Sequence, residues 1–275
     1  MGLRKRMRQP MRIIFCTIIL IIAAAVPISS QEITTNIINR VFHIKIGNKE
    51  GSGFAIEVDN RQYLITARHL VDGLKDGDTI EIHHENKWKT VKVKPFFPQI
   101  KEVDVAVLVL PVQIAPPLPI DLSLSGLVLA QDMYFLGFPY GLFMEGRPID
   151  NFFPLPFVKK GICSGMAKAP QDYSVVFIDG YNNPGFSGGP IVFIDTQTKK
   201  LKIGGVVSAY RNQEDKVIRK LLKKKAKAKN NVQPDQIKEV ETNMVVKTNA
   251  GIVIGFGIQS ALDVISKNPV GPLVK

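Results

Sequence analysis

The sequence predicts an all-β chain: two antiparallel β-barrels, with a helical insertion in the second and a short helix near the C-terminus. Three observations carry this. Short runs rich in Val, Ile, Phe and Tyr recur through residues 41–110 and again through 127–258, punctuated by Gly, Asn, Asp and Lys. Helical periodicity is absent from the first series, and short strands at near-regular spacing suit a sandwich or barrel. Between the two series lies PVQIAPPLPIDL at 111–122, where four prolines in twelve residues each lack the N–H a ladder needs.

Taken in chain order, residues 1–30 stand apart from the fold. Arg4, Lys5, Arg6, Arg8 and Arg12 make a basic start without an acid. An apolar run from Ile13 to Val26 follows, then Pro27, Ile28, Ser29 and Ser30. This is the order of a secretory signal peptide, and the run is short for a membrane span of ~20 apolar residues. Export to a periplasm or the exterior, with cleavage near Ser30, is the leading reading. An uncleaved anchor through residues 13–28 and a plain structural helix are the alternatives.

The first barrel is expected over 37–112, with strands at Val41–Ile46, Gly53–Val58, Tyr63–Thr66, Thr79–His83, Thr90–Val93 and Val103–Leu110. A linker is expected over 113–122. The second barrel is expected over 123–268, with strands at Leu127–Phe138, Phe157–Ser164, Ser174–Ile178, Ile191–Ile194, Ile203–Ala209, Met244–Lys247 and Ile252–Ile258. Ser260 is placed to cap a closing helix over Ser260–Ser266.

Residues 211–248 interrupt this pattern as an insertion. Val217, Ile218, Leu221 and Leu222 fall at helical spacing with Lys and Arg opposite, which predicts an amphipathic helix over Glu214–Lys229. The formal net charge of the chain is +12. The leader carries +5 of it, and 211–230, with nine Lys/Arg against Glu214 and Asp215, carries the other +7. The rest of the chain is balanced, so its basicity is local. A solvated basic helix is the plain reading of 211–230. The sharper ones are a gate over a site, docking to an anionic membrane surface, or attraction of acidic substrates. Nucleic acid is not expected, because 211–230 has no aromatic residue to stack on bases.

Cys16 lies in the leader, so a processed chain keeps Cys163 alone and has no internal disulfide. Gly161-Ile162-Cys163-Ser164 reads as core strand, with Cys163 a buried inert thiol. No Cys/His spacing suits a metal, and Gly51-x-Gly53 lacks the third glycine and the helix of a dinucleotide site. No cofactor is expected.

The sharpest chemical signal is Asn183-Pro184-Gly185-Phe186-Ser187-Gly188-Gly189-Pro190. Gly-x-Ser-x-Gly also marks the nucleophile elbow of α/β-hydrolases, where the order is Ser, acid, His. The histidines here are His43, His69, His83 and His84, and none follows Ser187. That order cannot be assembled. The order His, Asp, Ser can. His69 ends the strand-like Leu64-Ile65-Thr66-Ala67-Arg68-His69. Asp104 opens the apolar run Val105 to Leu110, where a carboxylate is costly unless paired, and an imidazole N–H would pair it. An Asp, His, Ser order would need Asp59, and the β-rich pattern argues against that α/β fold.

With these residues in view, the chain resembles a trypsin-like serine peptidase of the Deg/HtrA branch. Gly51-Ser52-Gly53-Phe54, Thr66-Ala67-Arg68-His69, Asp104 to Leu108, Gly137-Phe138-Pro139-Tyr140-Gly141, Gly161 to Ser164 and Asn183 to Pro190 match its successive blocks in order. Ile254 to Ile258 resembles its last strand. The resemblance spans approximately residues 37–265. It implies a chymotrypsin-like fold with the site in the cleft between two barrels, Ser187 as nucleophile, His69 as base and Asp104 as its orienting acid. It also implies an oxyanion hole from the N–H groups of Gly185 and Ser187. Ser208-Ala209-Tyr210 resembles the strand that pairs with an extended substrate. Tyr181 falls near the primary side-chain pocket; with no acid there, a small or medium apolar preference is expected.

Two departures shape the expectation. Pancreatic-type enzymes carry an acid before the nucleophile, which receives a freed N-terminus on activation; here that residue is Phe186. No such zymogen cleavage is expected. The sequence also ends soon after its last helix, so no attached PDZ domain is expected. The resulting reading is a serine endopeptidase acting on proteins or peptides; the alternative is a protease-fold scaffold that binds peptides with little or gated turnover.

Overall fold

The strands form where β-branched and aromatic residues meet turns that permit positive φ. The computed structural model describes residues 33–145, 153–223 and 236–275, with side chains for all of these except 210–248. The leader expected over 1–30, Cys16 included, lies outside the described residues. After a helical turn α1 (Thr35–Ile38), the first sheet comprises β1 (Val41–Ile46), β2 (Lys49–Val58), β3 (Arg61–Thr66), β4 (Thr79–His84), β5 (Lys87–Lys92), β6 (Lys94–Phe96) and β7 (Ala106–Val109). Its order is β5-β4-β1-β2-β3-β7-β6. Asp59 and Asn60 (φ 47° and 59°) join β2 to β3, and Glu85 and Asn86 (φ 53° and 56°) join β4 to β5. Positive φ at both turn residues matches the twist of the flanking strands. Phe42, Ile44, Leu64, Ile82 and Leu108 fill the interior.

Linker residues 114 and 115 are held by one buried side chain. Gln62 Oε1 accepts the N–H groups of Ile114 (2.7 Å) and Ala115 (3.1 Å), and Gln62 Nε2 donates to Ala115 O (2.9 Å). Beyond it, β8 (Asp121–Leu122), β9 (Asp132–Gly137), β10 (Phe157–Lys168), β11 (Ser174–Asp179), β12 (Pro190–Ile194), β13 (Leu201–Lys223) and β14 (Gln236–Gly257) form the second sheet. Its order is β12-β9-β10-β11-β14-β13-β8, and β12 also pairs with β13, which closes the ring. Met133, Phe135, Cys163, Ile178, Phe186 and Phe193 pack inside. Cys163 is a buried free thiol, and burial pushes its pKa up, as the inert reading requires.

Over its described part, 214–223, the expected helical insertion is strand rather than helix; 224–229 lie outside the described residues. β13 and β14 continue past the barrel as one antiparallel ribbon, paired from Asn212↔Asn249 to Lys223↔Gln236. The helical spacing of Val217, Ile218, Leu221 and Leu222 is local, whereas 237–248 supplies a β-branched partner in Ile237, Val240, Thr242, Val245, Val246 and Thr248. The register sets Lys220 opposite Glu239 and Glu214 opposite Lys247, opposite charges at directly paired positions. Two smaller corrections follow. β7 starts at Ala106, because Asp104 turns its carboxylate to His69 and leaves the ladder. The last helix, α2 being Arg68–Val71, is α3 (Gln259–Lys267), whose N-cap is Ile258. Ser260 therefore lies inside its first turn and does not cap it.

Candidate active site

Strand pairing brings His69 and Asp104 together. β3 and β7 are antiparallel with Thr66 opposite Ala106, so residues just after Thr66 and just before Ala106 lie at the same end. His69 occupies α2, directly after β3, and Asp104 precedes β7. Asp104 Oδ1 accepts the His69 backbone N–H (2.8 Å), and Oδ2 lies 2.7 Å from His69 Nδ1. Ser208 Oγ donates to the same Oδ2 (2.5 Å). Burial pushes the Asp104 carboxyl pKa up, but the hydrogen bonds from the His69 ring and Ser208, with the imidazole beside it, outweigh that and hold it below the usual range. The His69 side chain is 47% exposed.

Ser187 sits in the turn between β11 and β12. Its carbonyl accepts the Ser52 N–H from β2 (2.8 Å), while Gly188 N–H donates to Val207 O (2.7 Å) and Val207 N–H to Gly189 O (2.8 Å). The turn is thus fixed to both sheets. Gly185 adopts φ +103°, and a Cβ there would lie 2.1 Å from Phe138 O; only glycine fits. Among the described residues, no acceptor takes the N–H of Gly185 or Ser187. Two free donors on either side of Phe186 are the kind of arrangement an oxyanion needs. Ser187 Oγ donates to Ser208 O (3.0 Å), and no hydrogen bond joins it to His69 among the described residues.

The expected substrate-binding residues surround this turn. Tyr181 is 57% exposed. Asn182 Nδ2 donates to Ala209 O (3.3 Å), so the 181–183 loop and the start of the ribbon strand adjoin. Ala209 is exposed, Ser208 is buried against Asp104, and the Tyr210 backbone pairs with Val253. Three residues escaped the sequence reading. Ser208 was expected only in a substrate strand and also binds Asp104. Ser52, visible in the sequence only as part of a Gly-Ser-Gly block, accepts Phe138 N–H (3.2 Å) and donates to Gly185 O (2.7 Å), gripping the loop before Ser187. Lys159 reaches the same loop and had no signal in the sequence. A cavity of about 680 Å³, lined by Asn36, Glu57, Asp59, Pro119 and Lys200 among others, contains none of these residues. No group of three or more His, Cys, Asp or Glu is placed to hold a metal among the described residues.

Two β-barrel sheets, with His and Asp at the end of one and a Gly-flanked Ser in the turns of the other, define the chymotrypsin-like class of fold. The trypsin-like peptidase domain family matches residues 51–200, more than half of the chain, and the chain belongs to that family. No curated protein sequence matches it. Among solved structures, it is similar to the Rv3671c protease of M. tuberculosis H37Rv in its inactive form, at 17% identity and a TM-score of 0.51, covering 84% of this chain and 90% of that one. It is also similar to the HtrA-type protease AlgW with a tripeptide, at 19% identity and a TM-score of 0.51, covering 83% of this chain and 60% of that one. At these identities the likeness is one of fold.

Proposed function

We propose that this chain is an exported serine endopeptidase that hydrolyses peptide bonds of protein or peptide substrates through an acyl-enzyme. The single observation that carries the reading is the two-point hold of Asp104 on His69 beside the Ser187 turn. Ser187 Oγ attacks the scissile carbonyl carbon and its proton passes to His69 Nε2. Asp104 stays ionised, fixes the proton of His69 on Nδ1 and stabilises the imidazolium. The N–H groups of Gly185 and Ser187 receive the developing oxyanion, a role that contributes ~10²–10³ in rate per donor in such sites. The C–N bond breaks and His69 returns the proton to the leaving amine. Water, deprotonated by His69, then cleaves the ester and regenerates Ser187. The Ser187 hydroxyl must first turn from Ser208 O to His69, a rearrangement in keeping with catalytic hydrogen bonds that tighten only with substrate bound.

That same bond from Ser187 Oγ to Ser208 O favours the second reading, a peptide-binding scaffold with little or gated turnover. A fluorophosphonate probe separates the two. The peptidase reading expects covalent labelling of the wild-type chain, none of Ser187→Ala, and casein cleavage that the substitution abolishes. No labelling and no cleavage, with peptide binding retained, establishes the scaffold. For the basic segment 211–230 we propose contact with an anionic membrane surface.

A further inference from the structure

Lys159 occupies a core-facing position. It pairs directly with the buried Phe135, and Gly161 and the buried Cys163 follow it on the same face of β10. A lysine in that row is costly, and burial pushes its pKa below the usual lysine range. Its ammonium emerges at the end of the barrel beside the nucleophile turn. Nζ donates to Tyr181 O (2.6 Å) and to Asn183 Oδ1 (2.6 Å), and lies 5.6 Å from the Tyr181 ring centroid and 5.5 Å from that of Phe186. All four partners are neutral. No carboxylate among the described residues forms an ion pair with it. An ammonium has three donors, and two are used. The cation is therefore partly desolvated, aimed at the 181–183 loop, and without a counter-charge.

We infer that Lys159 is a specificity-determining residue: its ammonium receives the carboxylate of a Glu or Asp side chain, the substrate residue preceding the scissile bond, as that side chain enters beside Tyr181 and Asn183. The inference rests on the protease reading and replaces the apolar preference expected from the lack of an acid at Tyr181. The physical reason is charge. A site holding an unpaired, partly buried cation favours the ligand that neutralises it, and a neutral isostere leaves it unpaired. Substrate pairing along Ser208 to Tyr210 would direct that side chain toward the adjoining 181–183 loop.

The test uses the full chain carrying Ser187→Ala, so that binding is read without turnover. Peptides differing only at the residue before the scissile bond, as Glu, Gln, Leu or Lys, are titrated against it. The expected result is at least tenfold tighter binding of Glu than of Gln, a difference erased by Lys159→Met and shifted toward Lys by Lys159→Glu. Cleavage-site mapping with the Ser187 chain should then show Glu or Asp at that position. Equal binding of Glu and Gln peptides overturns the inference. So does a Lys159→Met chain that loses affinity for all four alike, since Lys159 would then only brace the loop. Failure of Ser187 to take the fluorophosphonate probe overturns the protease reading instead, and the binding series still decides the role of Lys159.

Discussion

Asp104 holds His69 at two points, its Oδ1 on the backbone N–H at 2.8 Å and its Oδ2 on ring Nδ1 at 2.7 Å. The first bond fixes where the residue sits and the second fixes which way the ring faces and where its proton lies. An amide in place of the carboxylate keeps the first and spoils the second, because an NH₂ group facing Nδ1 selects the wrong tautomer. Asp104→Asn should therefore lower kcat on a peptide substrate by ~10⁴, the loss such a change produces in related triads, with KM nearly unchanged. Steady-state kinetics alongside circular dichroism would check that the fold survives.

Ser208 donates to the same Asp104 oxygen that faces the ring. Ser208→Ala removes one of the bonds that hold the carboxyl pKa down, so that pKa should rise. A depressed carboxylate pKa stabilises the native state above its unfolded value, and this is lost as pH falls through the folded one. The variant should thus lose less stability on acidification than wild type, which denaturant unfolding across acidic pH would check.

Gly185 offers a steric test of the proposed oxyanion hole. An alanine Cβ would meet Phe138 O at 2.1 Å and Phe138 C at 2.9 Å, at a φ of +103°. The loop must move, and one free N–H moves with it. Gly185→Ala should slow fluorophosphonate labelling of Ser187 by ~10²–10³. The Asp104–His69 pair, on the other sheet, should be unaffected, so the NMR signal of the His69 Nδ1 proton should be unchanged. Labelling at the wild-type rate would refute the assignment.

What the sequence made legible was local. His69, Asp104 and Ser187 each sit in a short block whose order excludes the competing triad, and the β3–β7 register then brings the first two together. Lys159 was not legible, because its inward position depends on pairing with Phe135, a partner more than twenty residues away. The ribbon was misread for the same reason: Val217, Ile218, Leu221 and Leu222 fit a helix until 236–249 is laid beside them. Ser208 and Ser52 belong between these cases. Their blocks were recognised, but a hydroxyl's partner is set by tertiary contact.

His43 predicts acid lability. It is 2% exposed, stacked on Phe138 (4.7 Å between centroids, 14° between planes), and neither ring nitrogen has a hydrogen-bond partner. Its charged and titratable neighbours are Glu50, 3.4 Å from Nε2, and the His83 ring at 5.9 Å; Trp88 and Phe143 complete the pocket. Burial first, and His83 second, lower its pKa from 6.5 to about 4. The unfolded chain then binds more protons, so this contribution is intact above pH 6.5 and is lost progressively down to pH 4. The shift corresponds to about 3 kcal/mol. Denaturant unfolding across this range should show that slope. His43→Phe, which keeps the stack and removes the orphaned nitrogens, should flatten it without loss of stability at pH 7.

The ribbon predicts where the proposed membrane contact lies. Beyond Ile218, the residues that share register parity with Arg219 are Leu221 and Lys223, paired with Val240, Lys238 and Gln236. This set holds three cations and no acid. The other parity sets Lys220 against Glu239 and Ile218 against Glu241 and is not basic. One register parity of the ribbon is therefore cationic in composition, and each cation near an anionic surface contributes ~1 kcal/mol. Reversing Arg219, Lys223 and Lys238 to Glu should lower binding to phosphatidylglycerol vesicles by at least ~100-fold at low salt. Reversing Lys220 alone should change it far less. Replacing 212–249 by a two-residue turn should abolish vesicle binding and leave the melting temperature within a few degrees, because the Tyr210↔Val253 and Ala209↔Ile254 pairs remain. Cleavage of a short peptide should be unchanged if the ribbon only docks. A rise in that rate, with vesicle binding intact in the charge-reversed chain, would make the ribbon a gate and refute the membrane contact.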